Sequence, residues 1–133
     1  MAVIVDSNIL LDILAADPVW RGWSLARLGA ASTLGPVFIN DVVYAEISVW
    51  FAAVPDCDAF IEATHLRHEP IPRESLFLAA GAHRAYRRRG GTRTGVLSDF
   101  FIGAHAAVEG WSVLTRDTAR YRTYFPYVAL LAP

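Results

Sequence analysis

The chain contains no lysine: all twelve of its basic residues are arginine. Schiff-base and pyridoxal phosphate chemistry, a Walker A loop and a kinase of the usual plan all need a lysine, so each is excluded. Arginine does not replace a compact or titratable cation. Cysteine is almost as scarce, and Cys57 alone allows neither an internal disulfide framework nor a cysteine-built zinc site. Charged residues make up only 19% of the chain against 54% hydrophobic, a balance that argues against disorder. The net charge of 12 − 13 = −1 excludes a polycation that coats nucleic acid. Long apolar runs are missing too. The greasiest stretch, Val42 to Val54, is interrupted by Glu46 and Ser48 and falls short of the ~20 residues that span a bilayer. Met1 to Asp6 has no basic region of the kind that opens a signal peptide, so the expectation is a cytoplasmic protein. No Gly-x-Ser-x-Gly elbow and no Gly-x-Gly-x-x-Gly loop occurs.

A length of 133 residues suits one domain, and no linker, repeat or low-complexity tract divides it. Short β-branched runs alternate with amphipathic stretches. Val3-Ile4-Val5 predicts a buried strand, followed by a helix to about Leu14 that Ser7 or Asp6 caps. A second helix is expected over Val19–Ala30, a strand over Val37–Ile39, and a helix over Val42–Ala53 capped by Asn40-Asp41. Pro55-Asp56 starts another helix, and Leu66–Ile71 predicts a strand that Pro70 and Pro72 keep short or at an edge. A long helix follows over Arg73–Arg88, then one capped by Ser98-Asp99 that runs to Glu109 and ends at Gly110. Ser112–Thr115 and Tyr127–Leu131 complete the strands. Strands alternating with helices imply an α/β protein with a mostly parallel sheet covered on both faces. Working residues in such sheets lie beyond the carboxyl ends of the strands.

Four acids occupy such positions. Asp6 follows the first strand, Asp117 lies just beyond the fourth, Asp99 opens a helix, and Glu46 sits in the second turn of the helix after strand two. Singly, Asp6 and Asp99 read as helix caps and Asp117 as a turn residue. Glu46 does not reduce to a cap or a turn, because Val43, Ile47 and Trp50 surround it on an apolar helix, where a carboxylate needs a partner or protonation. A buried pair with an arginine is the alternative. If the sheet gathers the four, their repulsion demands a cation, and an all-oxygen cluster suits Mg²⁺ or Mn²⁺. A hard divalent ion on carboxylates serves phosphodiester hydrolysis.

The segments that carry these acids are Val3-Ile4-Val5-Asp6-Ser7-Asn8, Val42-Val43-Tyr44-Ala45-Glu46-Ile47, Ser98-Asp99-Phe100-Phe101-Ile102-Gly103-Ala104-His105-Ala106 and Leu114-Thr115-Arg116-Asp117. In order and spacing they resemble the PIN-domain ribonucleases, in particular the VapC toxins of VapBC toxin–antitoxin pairs. The tail Arg120-Tyr121-Arg122-Thr123-Tyr124-Phe125-Pro126 is similar to the ending common among those toxins. The resemblance implies a single PIN domain over 1–133, a Rossmann-like three-layer sandwich whose five-stranded parallel sheet has the order 3-2-1-4-5. It implies an endoribonuclease that hydrolyses RNA with Mg²⁺ or Mn²⁺ and leaves a 5′-phosphate and a 3′-hydroxyl. Asp6 and Asp99 are then the principal metal ligands, with Glu46 and Asp117 completing the site directly or through water. Asn8 and Thr115 orient carboxylates or water. A VapB-like antitoxin and a second copy of the chain are the implied protein partners, with the antitoxin lying in a hydrophobic groove and an arginine of it entering the acidic site.

Six arginines, at positions 73, 84, 87, 88, 89 and 93, face one acid, Glu74, between Arg73 and Arg93. Arg87, Arg88, Arg89 and Arg93 precede Asp99 closely and offer salt-dependent phosphate contacts without base discrimination; a solvated helix end is the plainer reading. Arg116, beside Asp117, is a further candidate for RNA. Trp20, Trp23 and Trp50 lie on helices and read first as core, with the resemblance making one or two of them interfacial. His65 and His68 lack a third ligand in sequence, His83 and His105 read as packed or solvent-facing helix residues, and Cys57 as a small buried one. Two other readings compete. A receiver-like phosphohydrolase also places an aspartate after strand one but needs the lysine this chain lacks, and a non-catalytic module would use the acids to bind a basic peptide.

Overall fold

A computed structural model describes all of residues 1–133. Five strands, β1 (Val3–Val5), β2 (Val37–Ile39), β3 (Leu66–His68), β4 (Ser112–Leu114) and β5 (Leu130–Leu131), form one sheet in the order β3-β2-β1-β4-β5. Every pairing is parallel, with Ile4 opposite Phe38 on one side and Val113 on the other. The expected strand order therefore holds. Val3, Ile4 and Val5 are all completely buried although alternate residues face opposite sides, so helices cover both faces of the centre. The chain winds outward from β1 in two directions, and the point of reversal lies between the adjacent carboxyl ends of β1 and β4. Open α/β sheets place their ligand crevices there.

Seven helices connect the strands: α1 (Ser7–Leu14), α2 (Arg21–Leu34), α3 (Asp41–Ser48), α4 (Val54–Ala63), α5 (Arg73–Arg88), α6 (Leu97–Glu109) and α7 (Ala119–Tyr124). The apolar stripe of α1 delivers Ile9 and Leu10 to the core, and Asn40 Oδ1 caps α3 by accepting from the Val42 and Val43 amides. Gly110 ends α6 in the left-handed region at φ 72°, as its position predicts.

Several boundaries differ from expectation. The helix expected over Val42–Ala53 stops at Ser48, whose hydroxyl donates to the Tyr44 carbonyl, and the chain turns through exposed Val49 and Trp50 before α4. The second helix begins at Arg21, past the Asp17 carboxylate that accepts from the Val19 and Trp20 amides, and continues to Leu34. Strand β3 ends at His68 because Pro70 and Pro72 have no amide to extend the ladder. Neither Ser98 nor Asp99 caps α6: the helix starts at Leu97, and Asp99 lies inside its first turn. The tail before the last strand, assigned no element from the sequence, contains helix α7, and the strand expected over Tyr127–Leu131 is limited to Leu130–Leu131.

Packing of the C-terminal elements depends on one small residue. The face of α6 at Gly103 lies against the Phe125 ring, which is buried beneath the end of α7, and a Cβ at that position would overlap the ring. Alanine has a helix advantage of about 1 kcal/mol over glycine, and overpacking costs about 1–3 kcal/mol. Gly103→Ala is expected to lower the urea midpoint by a net loss on the order of 1 kcal/mol. An unchanged midpoint would mean that the Phe125 ring moves aside freely.

Candidate functional site

The carboxyl end of β1 delivers Asp6 to the reversal point, and its carboxylate is only 3% exposed. Elements far apart in the chain supply its hydrogen bonds. Tyr121 of α7 donates to Asp6 Oδ2 at 2.7 Å, Thr115 after β4 donates to the same oxygen at 2.9 Å, and the Asn8 amide reaches Oδ1 at 3.4 Å. Asp6 thus caps α1 and belongs to the site. Ser7 Oγ donates to Glu46 Oε1 at 2.9 Å, linking α1 to α3. Thr115 Oγ1 accepts from Asn8 Nδ2 at 3.2 Å and from the Asp117 amide at 3.1 Å. Arg120 closes the arrangement: its Nε donates to Asp99 Oδ2 and its Nη2 donates to Asp117 Oδ2 at 2.8 Å.

With Ser7 Oγ also 3.4 Å from Asp6 Oδ1, one continuous network joins Glu46, Asp6, Asp117 and Asp99, each from a different segment. Asn8 and Thr115 stand inside it. Three members had no site role in the sequence. Ser7 reads there only as a cap, and Arg120 and Tyr121 lie in the short helix α7, too short to show a period.

Burial dominates the electrostatics. It raises the proton affinity of Asp6 against the opposing bonds from Tyr121 and Thr115. It raises that of Glu46, with the Asp6 charge adding to it. Asp99 is pushed up to about 6, again chiefly by burial, with the Arg120 bond pulling the other way. Tyr121 is raised well above its usual range by burial and the surrounding acids, so it stays a hydrogen-bond donor.

The donor set consists of oxygens alone, and four carboxylates against the Arg120 guanidinium leave −4 + 1 = −3 when ionised. Asn8 Oδ1 is buried without any partner in the same network. A negative cluster of hard donors with one orphaned neutral oxygen fits Mg²⁺ or Mn²⁺. No three of the acids converge on one ion-sized point in this arrangement.

Arg116, a candidate for RNA in the sequence, makes a bidentate pair with buried Asp12, Nε at 2.8 Å and Nη2 at 2.9 Å, and lies over the Trp20 ring. Asp12 also accepts from Ser24 at 2.8 Å, so α1, α2 and the residue after Thr115 are tied together. Arg87, Arg88, Arg89 and Arg93 are exposed at the end of α5 and beyond. Arg89 lies over Tyr124 of α7 and the Arg93 amide donates to Tyr86 Oη, which places the run beside α6 and α7. His105 is buried with Nδ1 3.3 Å from Asn40 Nδ2, and burial lowers its pKa to about 4. It is a neutral packed residue, and His68 pairs instead with Asp41 at 2.6 Å.

The sequence matches the PIN domain family over residues 3–126. No curated protein matches it. Among solved structures, VapBC2 from Rickettsia felis bound to a promoter DNA fragment superposes with a TM-score of 0.74 at 15% identity, covering 100% of this chain and 99% of that one. DNA-bound VapBC from Salmonella typhimurium gives 0.71 at 14% identity over 99% and 98%. FitAcB from Neisseria gonorrhoeae gives 0.65 at 20% identity over 97% and 96%. At these identities the likeness is one of fold.

Two outcomes follow from the geometry. The folded state holds a proton on Asp99 between its ordinary value of 3.8 and about 6 that the unfolded chain releases, so this term stabilises fully below 3.8 and is lost as pH rises through about 6. Thermal melts in EDTA are expected to lose stability over that window, and Asp99→Asn to flatten the slope. Arg116→Ala strands a buried charge at Asp12 and is expected to cost about 3 kcal/mol in chemical denaturation; a loss under about 1 kcal/mol, the worth of an exposed pair, would show that water reaches Asp12.

Proposed function

Because the chain belongs to the PIN domain family, we propose that it is a metal-dependent endoribonuclease and the toxin of a toxin–antitoxin pair. The observation that carries this reading is the network of four carboxylates from four segments, gathered at the reversal of the sheet around an orphaned amide oxygen. Asp6 and Asp99 would hold Mg²⁺ or Mn²⁺, Asp117 and, through a water, Glu46 would complete the site, and Asn8 Oδ1 would be a neutral donor beside them. When bound, such an ion lowers the pKa of water and offsets the charge that grows on the phosphate.

The chain's own residues do the rest. Tyr121 and Thr115 fix Asp6 through two donated bonds, and Ser7 aims Glu46. Water attacks the phosphorus in line with the leaving 3′-oxygen; the P–O3′ bond breaks, and the 3′-oxygen takes a proton from solvent to leave as a hydroxyl. Glu46, whose proton affinity burial raises, takes up the proton that the water releases. Arg87, Arg88, Arg89 and Arg93 neutralise backbone phosphates along the flank, holding RNA by charge.

An apolar hollow of about 270 Å³ between α3 and α4, lined by Tyr44, Phe51, Ala53, Val54 and Cys57, supports docking of an apolar antitoxin segment. Val49, 81% exposed, and Trp50, 50% exposed, extend that surface. Phe77, 85% exposed on α5, supports pairing with a second copy. No helix is long and apolar enough to cross a membrane.

Purified protein incubated with total cellular RNA is expected to produce discrete fragments with Mg²⁺ or Mn²⁺ and none in EDTA. Asp99→Asn should lower the rate by more than the 10–100-fold that loss of a supporting residue costs, and Thr115→Val by about that smaller factor. Intact RNA with both metals, from folded and antitoxin-free protein, would favour a module that binds a basic peptide. Cleavage that survives both EDTA and Asp99→Asn would belong to a contaminant.

A further inference from the structure

Arg120 is a cation that a divalent-metal site does not need, yet its side chain is only 11% exposed and lies between two of the acids. Two nitrogens of the fork are engaged there, Nε on Asp99 Oδ2 and Nη2 on Asp117 Oδ2 at 2.8 Å, so each carboxylate has one oxygen committed to it. No three acids meet at one ion-sized point in this arrangement. We propose that Arg120 is a latch on the metal site: its guanidinium occupies Asp99 and Asp117 in the metal-free protein and swings out when a divalent ion binds. The proposal rests on the metal site argued above and adds how its loading is controlled.

Three features support a hinged side chain rather than a fixed strut. The next residue, Tyr121, is buried and bonded to Asp6, so the backbone of α7 is anchored and the motion belongs to the Arg120 side chain alone. The outer partner, Asp117, is 47% exposed, so the bond on that side is open to water and weak. Arg116, the other guanidinium near the cluster, is already committed to Asp12 and does not replace it. Without Arg120, the −3 of the latched network becomes −4, which makes the latch a stabiliser of the empty site and a competitor of the ion. The apparent dissociation constant for metal is then the intrinsic one divided by the unlatched fraction.

Calorimetric titration of Mg²⁺ into wild type, Arg120→Ala and Arg120→Lys tests this. A site latched about nine-tenths of the time binds about tenfold more weakly than an open one, so both variants are expected to bind about tenfold more tightly than wild type. Lysine separates competition from bare charge, since it keeps the positive charge and lacks the planar fork. If only Arg120→Ala tightens binding and Arg120→Lys matches wild type, charge alone is at work and the latch is overturned. Wild-type protein labelled with ¹⁵N-arginine provides the readout that needs no variant. The Arg120 Nε–H resonance should be shifted and protected from exchange in EDTA, and should move to the position of a free arginine as Mg²⁺ saturates the site. A resonance that does not move while Mg²⁺ binds overturns the latch and leaves the nuclease reading standing. Failure of all three proteins to bind Mg²⁺ overturns both.

Discussion

Asp6 places a carboxylate where almost no water reaches it, and the protein is arranged to satisfy that one group. A buried carboxylate without donors costs several kcal/mol or takes up a proton. Here two hydroxyls reach one oxygen and a helix-capping amide reaches the other. Those donors come from α1, from the turn after β4 and from α7, so satisfying Asp6 also fixes the seam between β1 and β4 and seats the last helix. The same contacts bring Glu46 and Asp117 within one network, through Ser7 and Thr115. One buried carboxylate is in this way the organiser of the carboxyl edge of the sheet.

Two arginines four residues apart, Arg116 and Arg120, divide the neighbouring acids between them. Arg116 faces away from the cluster and neutralises Asp12 as part of the scaffold, stacked on Trp20. Arg120 faces into the cluster and neutralises part of its charge. The planar fork of arginine suits both tasks, since each uses two donors on carboxylate oxygens. A chain without lysine has no compact ammonium to place in such a site, and its internal cations are all of this directional kind.

Much of this was legible in the residues. The β-branched runs marked β1, β2 and β4, because a strand buried on both faces needs a continuous apolar stretch. The acids stood out through their places at strand ends, and Glu46 through its apolar helix. What could not be read depended on partners distant in sequence. Arg116 and Arg120 look alike in the chain, and only the fold shows that Asp12 takes one while Asp99 and Asp117 take the other. Helix α7 has six residues, fewer than two turns, so its periodicity gave no signal. The break at Ser48 followed from a hydroxyl turned back on the helix carbonyl, which competes locally with regular structure and leaves no mark on the hydrophobic pattern.

The two strongest bonds to Asp6 span 109 and 115 residues of chain, to Thr115 and Tyr121. Synthesis runs from the amino end at about 5–20 residues per second, so a growing polypeptide carries its first acid for several seconds before the groups that orient it exist. During that interval Asp6 belongs to an unfinished sheet, because β4 and its pairing with β1 are also still to come. The network around Asp6 is thus incomplete on the ribosome until nearly the whole domain has emerged. A prematurely terminated product would retain Asp6 and Glu46 as isolated acids, with no site between them.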